Sequence, residues 1–139
     1  MENLVDFALE ERYKSIKQLG DRLDEFSTLI DWGLFRPVVG DIYQNRTEQG
    51  GRPNMDIVLM VKLLVLQSMY NLSDPELERQ ANDRISFMKF LGFPEKIPDQ
   101  TTVWYFRERL AKTGKDKAIW SELQRQLDAK GLKIRKGTI

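Results

Sequence analysis

The stretch from Met55 to Tyr70 constrains the fold of this chain more than any other. It reads Met-Asp-Ile-Val-Leu-Met-Val-Lys-Leu-Leu-Val-Leu-Gln-Ser-Met-Tyr, with Asn54 placed to cap it. Apolar side chains cover nearly every face, and a helix of that kind must be wrapped by other elements. Spanning a bilayer takes about 20 apolar residues. This run is shorter, and Asp56, Lys62 and Gln67 interrupt it. The expectation is a central core helix, no membrane span, and a coat built from the rest of the 139 residues, a length that suits one modest core.

Hydrophobic periodicity supplies that coat as helices. Leu4, Phe7, Ala8, Ile16 and Leu19 mark a first helix from Asn3 to Leu19, which Gly20 breaks. Asp21 then caps a second, carrying Leu23, Phe26, Leu29 and Ile30. Trp32 to Pro37 reads as a turn into a short apolar stretch of Val38, Val39, Ile42 and Tyr43, followed by a polar, Gly-rich loop from Gln44 to Pro53. After the central helix, Ser73 and Glu76 have capping-box spacing with Pro75 in the first turn, opening a helix to about Asp83. A short apolar helix, Ile85 to Leu91, is closed by Gly92, and Pro94 and Pro98 bracket a loop. Asp99 caps a helix from Gln100 to Lys112 that Gly114 ends. The last helix, Lys115 to Lys130, carries Ile119, Trp120, Leu123 and Leu127 and stops at Gly131. From Leu132 to Ile139 the alternation has a period of two, as in a strand, and nothing else in the chain offers it a sheet. The predicted fold is all-α: a compact bundle over residues 1–131 around a buried central helix, with a strand-like tail at 132–139. That tail is expected to fray, or to pair with another copy.

Composition removes most catalytic chemistries. With no cysteine and no histidine, the chain has no disulfide, no Cys or His zinc site, no nucleophile–histidine pair and no imidazole base. The acidic pairs Glu10-Glu11 and Asp24-Glu25 point apart on their helices, and Glu76 and Glu78 belong to a charged helix face. No set of carboxylates converges as a two-metal site would require. Catalytic residues, metal ligands and cofactors are therefore not expected in this chain. Missing cysteines suit a reducing compartment, and the N-terminus has no basic region before an apolar run, so a cytoplasmic location is expected.

Net charge is only +1, but its distribution is uneven. Residues 1–100 hold 12 basic and 17 acidic side chains, whereas residues 101–139 hold 10 basic and 4 acidic. A basic last third can carry a local nucleic-acid surface, and it can equally be helix ends collecting Lys and Arg. Three successive helices, 73–83, 86–91 and 99–112, joined by tight turns, have the form of a helix-turn-helix-like unit spanning about 73–112. In the last of them Val103, Phe106 and Leu110 form a buried stripe. Thr101, Tyr105, Glu108 and Lys112 face away from it, flanked by Trp104 and Arg109, and Arg107 projects near the stripe. Hydroxyls, an aromatic and cations in that order suit phosphate docking and groove contacts. By spacing alone, an amphipathic core helix with a solvated polar face explains the same pattern and is the commoner case.

Several short stretches, in order, decide between these. They are Asp6 to Tyr13; Ile30-Asp31-Trp32 with Phe35-Arg36-Pro37; Gly51-Arg52-Pro53; Leu59 to Tyr70; Leu72-Ser73-Asp74; Arg84 to Gly92; and Pro98 to Arg107. Together they cover almost the whole chain, which resembles the N-terminal region of bacterial and archaeal DDE transposases of the insertion-sequence-five group. The resemblance implies a helical domain that binds double-stranded DNA at the terminal inverted repeats of a mobile element. It also implies a following ribonuclease-H-like catalytic domain. The stretch from Gly131-Leu132 to Gly137-Thr138-Ile139 matches the approach to that domain's first strand, with the first catalytic Asp expected beyond Ile139. The three metal-binding carboxylates of the family are absent here, so a divalent metal is expected only for that domain. DNA binding carries over and strand cleavage does not.

The resulting expectation assigns phosphate contacts to Arg109, Lys112 and Lys115, with Arg52 as a further candidate, and places Thr101, Thr102, Trp104 and Tyr105 nearest the groove. Two other readings remain open. One is a dimerisation module pairing transposase subunits as a homodimer, favoured by the apolar N-terminal helices. The other is a free-standing regulator that occupies element ends.

Overall fold

Seven apolar side chains of the central helix, Leu59, Met60, Val61, Leu63, Leu64, Val65 and Leu66, are buried, each worth about 1.5–3 kcal/mol relative to exposure. The rest of the fold is organised by the need to cover them. A computed structural model describes residues 22–40, 42 and 55–131, and all regular structure among them is helical. In chain order the elements are α1 (Arg22–Leu29), a 3-10 turn (Trp32–Leu34), α2 (Phe35–Val39), α3 (Ile57–Tyr70), α4 (Asp74–Asp83), α5 (Ile85–Leu91), α6 (Gln100–Thr113) and α7 (Lys115–Ala129). The expected 3–19 helix, the 44–53 loop with Arg52, and the 132–139 tail lie outside the described residues.

α3 is the central element, packed against α2, α4, α5 and α6. It begins later than the sequence suggests. Asp56, not Asn54, is its N-cap, and the Asp56 carboxylate accepts from the Leu59 N–H at 3.2 Å. The same carboxylate pairs with Arg36 at 2.9 Å, which fixes the start of α3 to α2. At the other end Asn71 adopts the left-handed conformation at φ 55°, and the chain turns by 106° into α4.

The Trp32 to Pro37 segment is not simply a turn. After the 3-10 turn, residues 35–39 form a single helical turn with Phe35 and Val39 fully buried. Pro37 fits because a first-turn N–H has no partner within the helix in any case. α2 packs on α7, and a glutamine joins that region to the 3-10 turn. Gln126 is 6% exposed, its amide oxygen accepting from the Asp31 N–H at 2.7 Å while its NH₂ donates to the Asp31 carbonyl at 3.1 Å. In α7 the buried residues are Ile119, Leu123, Gln126 and Leu127. Trp120, expected in the stripe, is 37% exposed because it sits beside it.

The caps on the other helices form largely as local rules demand. Ser73 Oγ accepts from the Glu76 N–H at 3.2 Å, yet the Glu76 carboxylate turns forward to Arg79 and Gln80, so one half of the reciprocal box is made. Asp99 accepts from the Thr102 N–H at 2.8 Å. Gly114, at φ 73°, lets α6 turn into α7. Only Arg84 separates α4 from α5, whereas residues 92–99 separate α5 from α6. The expected tight turns are not both found: one connection is a single residue and the other is longer, and neither has the roughly 3–4 residues of a helix-turn-helix turn.

Candidate nucleic-acid interface

α6 packs on α3, α4 and α7 through Val103, Phe106 and Leu110, all buried. Polar contacts then fix its position. Arg107 Nη1 and Nη2 donate to the two carboxylate oxygens of Asp74, at 2.8 and 2.7 Å. Nη1 also reaches Gln67 Oε1 at 3.0 Å, and the Gln67 amide donates to Asp74 at 2.7 Å. Three helices thus meet at one guanidinium. Hydrogen bonds from Arg107 hold the Asp74 carboxyl below its ordinary range, with partial burial opposing them. At the start of α6 the Gln100 N–H donates to Glu78 of α4 at 2.8 Å.

Anchored in this way, α6 turns its other side outward. Thr101, Trp104, Tyr105, Arg109 and Lys112 are exposed and Thr102 is half-buried. Trp104 and Tyr105 are 43% and 57% exposed, with ring centroids 5.0 Å apart and planes at 80°. Lys115 is placed differently. Its ammonium donates to the Val39 carbonyl at the C-terminus of α2, a favourable position for a cation. Arg52 lies outside the described residues.

Sequence reasoning missed the Asp74–Gln67 half of the anchor, assigning neither residue a partner. Gln67, one of the few polar residues on a mostly apolar helix, is the available signal. It also passed over Arg84, an exposed residue whose guanidinium lies 4.4 Å from the Phe87 ring centroid and 5.3 Å from that of Tyr70. An arginine alone between two helices beside aromatic residues is a weak but readable sign of such stacking.

The outer face of α6 therefore combines hydroxyls, two large aromatic rings and two cationic residues, with one half-buried carboxylate, Glu108, among them; the hydroxyls, rings and cations are the means for contact with phosphates and bases. Among the described residues no three carboxylates gather to hold a metal ion, and no single helix is long and apolar enough to cross a membrane. No solved structure matches the chain. A family model described as a transposase domain (DUF772) matches residues 10–109, a range that takes in α1 to α5 and α6 as far as Arg109. With most of its length matched, the chain belongs to this transposase-domain family.

Proposed function

We propose that this transposase-family domain is the DNA-binding part of an insertion-sequence transposase of the insertion-sequence-five type, and that it holds the element's terminal inverted repeats against the outer face of α6. The observation that carries the reading is the build of that face. A helix held by three buried apolar residues and by the Asp74–Arg107 pair presents Thr101, Trp104, Tyr105, Arg109 and Lys112 outward together. Within the proposal Arg109 and Lys112 take phosphates, while Lys115 holds α2. Within the proposal the chain's part is to bind DNA, not to cut it.

Salt dependence tests this. The log of the affinity for duplex DNA should fall linearly with log salt, and Arg109→Ala and Lys112→Ala should each flatten the slope by about 0.9. Lys115→Ala should lower thermal stability and leave the slope alone. An unchanged slope in the Arg109→Ala, Lys112→Ala double variant overturns the assignment. Metal-dependent nicking by the purified chain, abolished by a single carboxylate substitution, would overturn the non-catalytic role.

One observation favours a second reading, subunit assembly. Trp120 stands half-exposed at a cleft of about 340 Å³ lined by Leu64, Leu72, Leu110 and Ile119. Sedimentation equilibrium of the chain and of Trp120→Ser decides it: a dimer that the substitution dissociates supports assembly, and a monomer at all concentrations removes it.

A further inference from the structure

A helix that reads sequence in the major groove does so with side chains carrying paired donors or acceptors, above all Arg on guanine and Asn or Gln on adenine. The outer side of α6 has few of these, Gln100 at its start and Arg109 in its third turn. Arg107, the arginine of its first two turns, is committed to Asp74 and Gln67 through three hydrogen bonds. Thr101 offers a single hydroxyl. Most of the bulk that projects is aromatic: Trp104 and Tyr105, set edge to face at 5.0 Å. The core does not need these rings, since Val103, Phe106 and Leu110 already fill the inward side of the helix.

Exposed rings fit one kind of DNA better than another. Inside an intact duplex each base is stacked on both sides by its neighbours, and a ring gains a base only by displacing one of them. An unpaired or terminal base leaves a π-face open, and stacking it on an aromatic side chain is worth roughly five- to a hundredfold in affinity. Arg109, on the next turn from Tyr105, and Lys112 lie further along the same helix, where the phosphates of the adjoining duplex would run.

We infer that the outer face of α6 selects DNA in which a base is unstacked beside a duplex, as at a forked end, with Trp104 and Tyr105 stacking on the free base and Arg109 and Lys112 holding the neighbouring phosphates. This rests on the reading that α6 faces DNA, and makes the structure of the DNA, more than base edges, the thing recognised there.

Fluorescence anisotropy on the full chain tests it with two probes: a blunt duplex, and the same duplex with a short non-complementary fork at one end. The fork should bind about tenfold tighter or more. Trp104→Ala and Tyr105→Ala should each weaken binding of the fork far more than that of the blunt duplex, and so erase most of that preference. Lys112→Ala should weaken both probes alike. In a Trp120→Phe background, tryptophan emission should be quenched by the fork and much less by the blunt duplex. If Trp104→Ala melts the fold, the quenching and Tyr105→Ala carry the same decision. Equal binding of both probes, or equal losses on both in the aromatic variants, overturns the inference while DNA binding stands. Failure to bind either probe removes the DNA-binding reading as well.

Discussion

Replacing Asp74 by Ala should loosen α6, because it removes the carboxylate that holds Arg107. The carboxylate joins α4 to Arg107 of α6 and to Gln67 of α3 at distances of 2.7–2.8 Å. Exposed ion pairs contribute about 0–1 kcal/mol, and breaking a fully buried one costs about 3–5 kcal/mol. This pair lies between those limits, with 19% of the Asp74 side chain and 35% of the Arg107 side chain exposed, so the loss should be about 2 kcal/mol. The lost negative charge in the first turn of α4 adds up to about 0.5 kcal/mol. For a chain of this length that corresponds to a fall in Tm of roughly 6–10 °C.

The assay is a double-mutant cycle in urea with Asp74→Asn and Arg107→Met, which keep shape and stem. The coupling energy should exceed about 1 kcal/mol. The pH dependence has a definite sign. Hydrogen bonds from Arg107 hold the folded Asp74 carboxyl below its ordinary value of 3.8. Its contribution is therefore fully present above that value and is lost as pH falls through the lower, folded one. The stability gap between the native chain and Asp74→Asn should accordingly close only in acid, below about pH 4. Single changes that each cost less than about 0.5 kcal/mol and add without coupling would refute the idea that this triad fixes α6.

Three further outcomes follow from other contacts. Burial is the main cause holding the Lys62 ammonium below its ordinary value of 10.5, with Lys89 pushing the same way and Asp56 opposing; the unfolded chain then binds more protons, so urea midpoints should rise with pH as it approaches 10.5, and Lys62→Met should abolish that rise. Gln126→Ala leaves both backbone groups of Asp31 without their partner and should cost about 2 kcal/mol in chemical denaturation, against near zero if water replaces the amide fully. Phe93 is 57% exposed at φ 51°, so Phe93→Gly should raise stability by about 1 kcal/mol through relief of the left-handed backbone; a loss of that size would show that its ring supports the fold.

What the sequence made legible was local. Ser73, Asp99, Gly92 and Gly114 act within a turn of their own helices, and each cap sits where its neighbours in sequence place it. The stripe of Val103, Phe106 and Leu110 is likewise a property of one helix. Asn54 and Asp56 show the limit of that reasoning. Both can cap, and the choice falls on the residue that also finds Arg36, 20 positions earlier, which no local rule contains. Trp120 leaves the stripe and Gln126 is buried for the same reason. Hydrophobicity favours burying the tryptophan, but the glutamine has two backbone partners 95 positions away and the tryptophan lies beside the packed stripe. For the candidate site, the residues on the outer side of α6 were readable from spacing, while the anchor that aims them was not. Arg107 meets Asp74 across 33 positions and Gln67 across 40.

Three polar residues that break the apolar run of the central helix, Asp56, Lys62 and Gln67, explain how one buried element can set the position of an exposed one. In the sequence they serve only to exclude a membrane span. In the fold each is a fixed point for a different part of the coat. Asp56 caps α3 and takes Arg36 of α2. Lys62 donates to the Phe90 carbonyl at 2.9 Å, near the end of α5, with its ammonium 5.4 Å from the Trp32 ring centroid. Gln67 holds both Asp74 and Arg107. Apolar packing alone tolerates sliding of one helix along another, because its contacts are many and individually weak. A hydrogen bond within about 3 Å does not. The polar positions on α3 thus set the register of helices whose burial the apolar positions drive. The last of them sets α6, and with it the direction in which Trp104, Tyr105, Arg109 and Lys112 face.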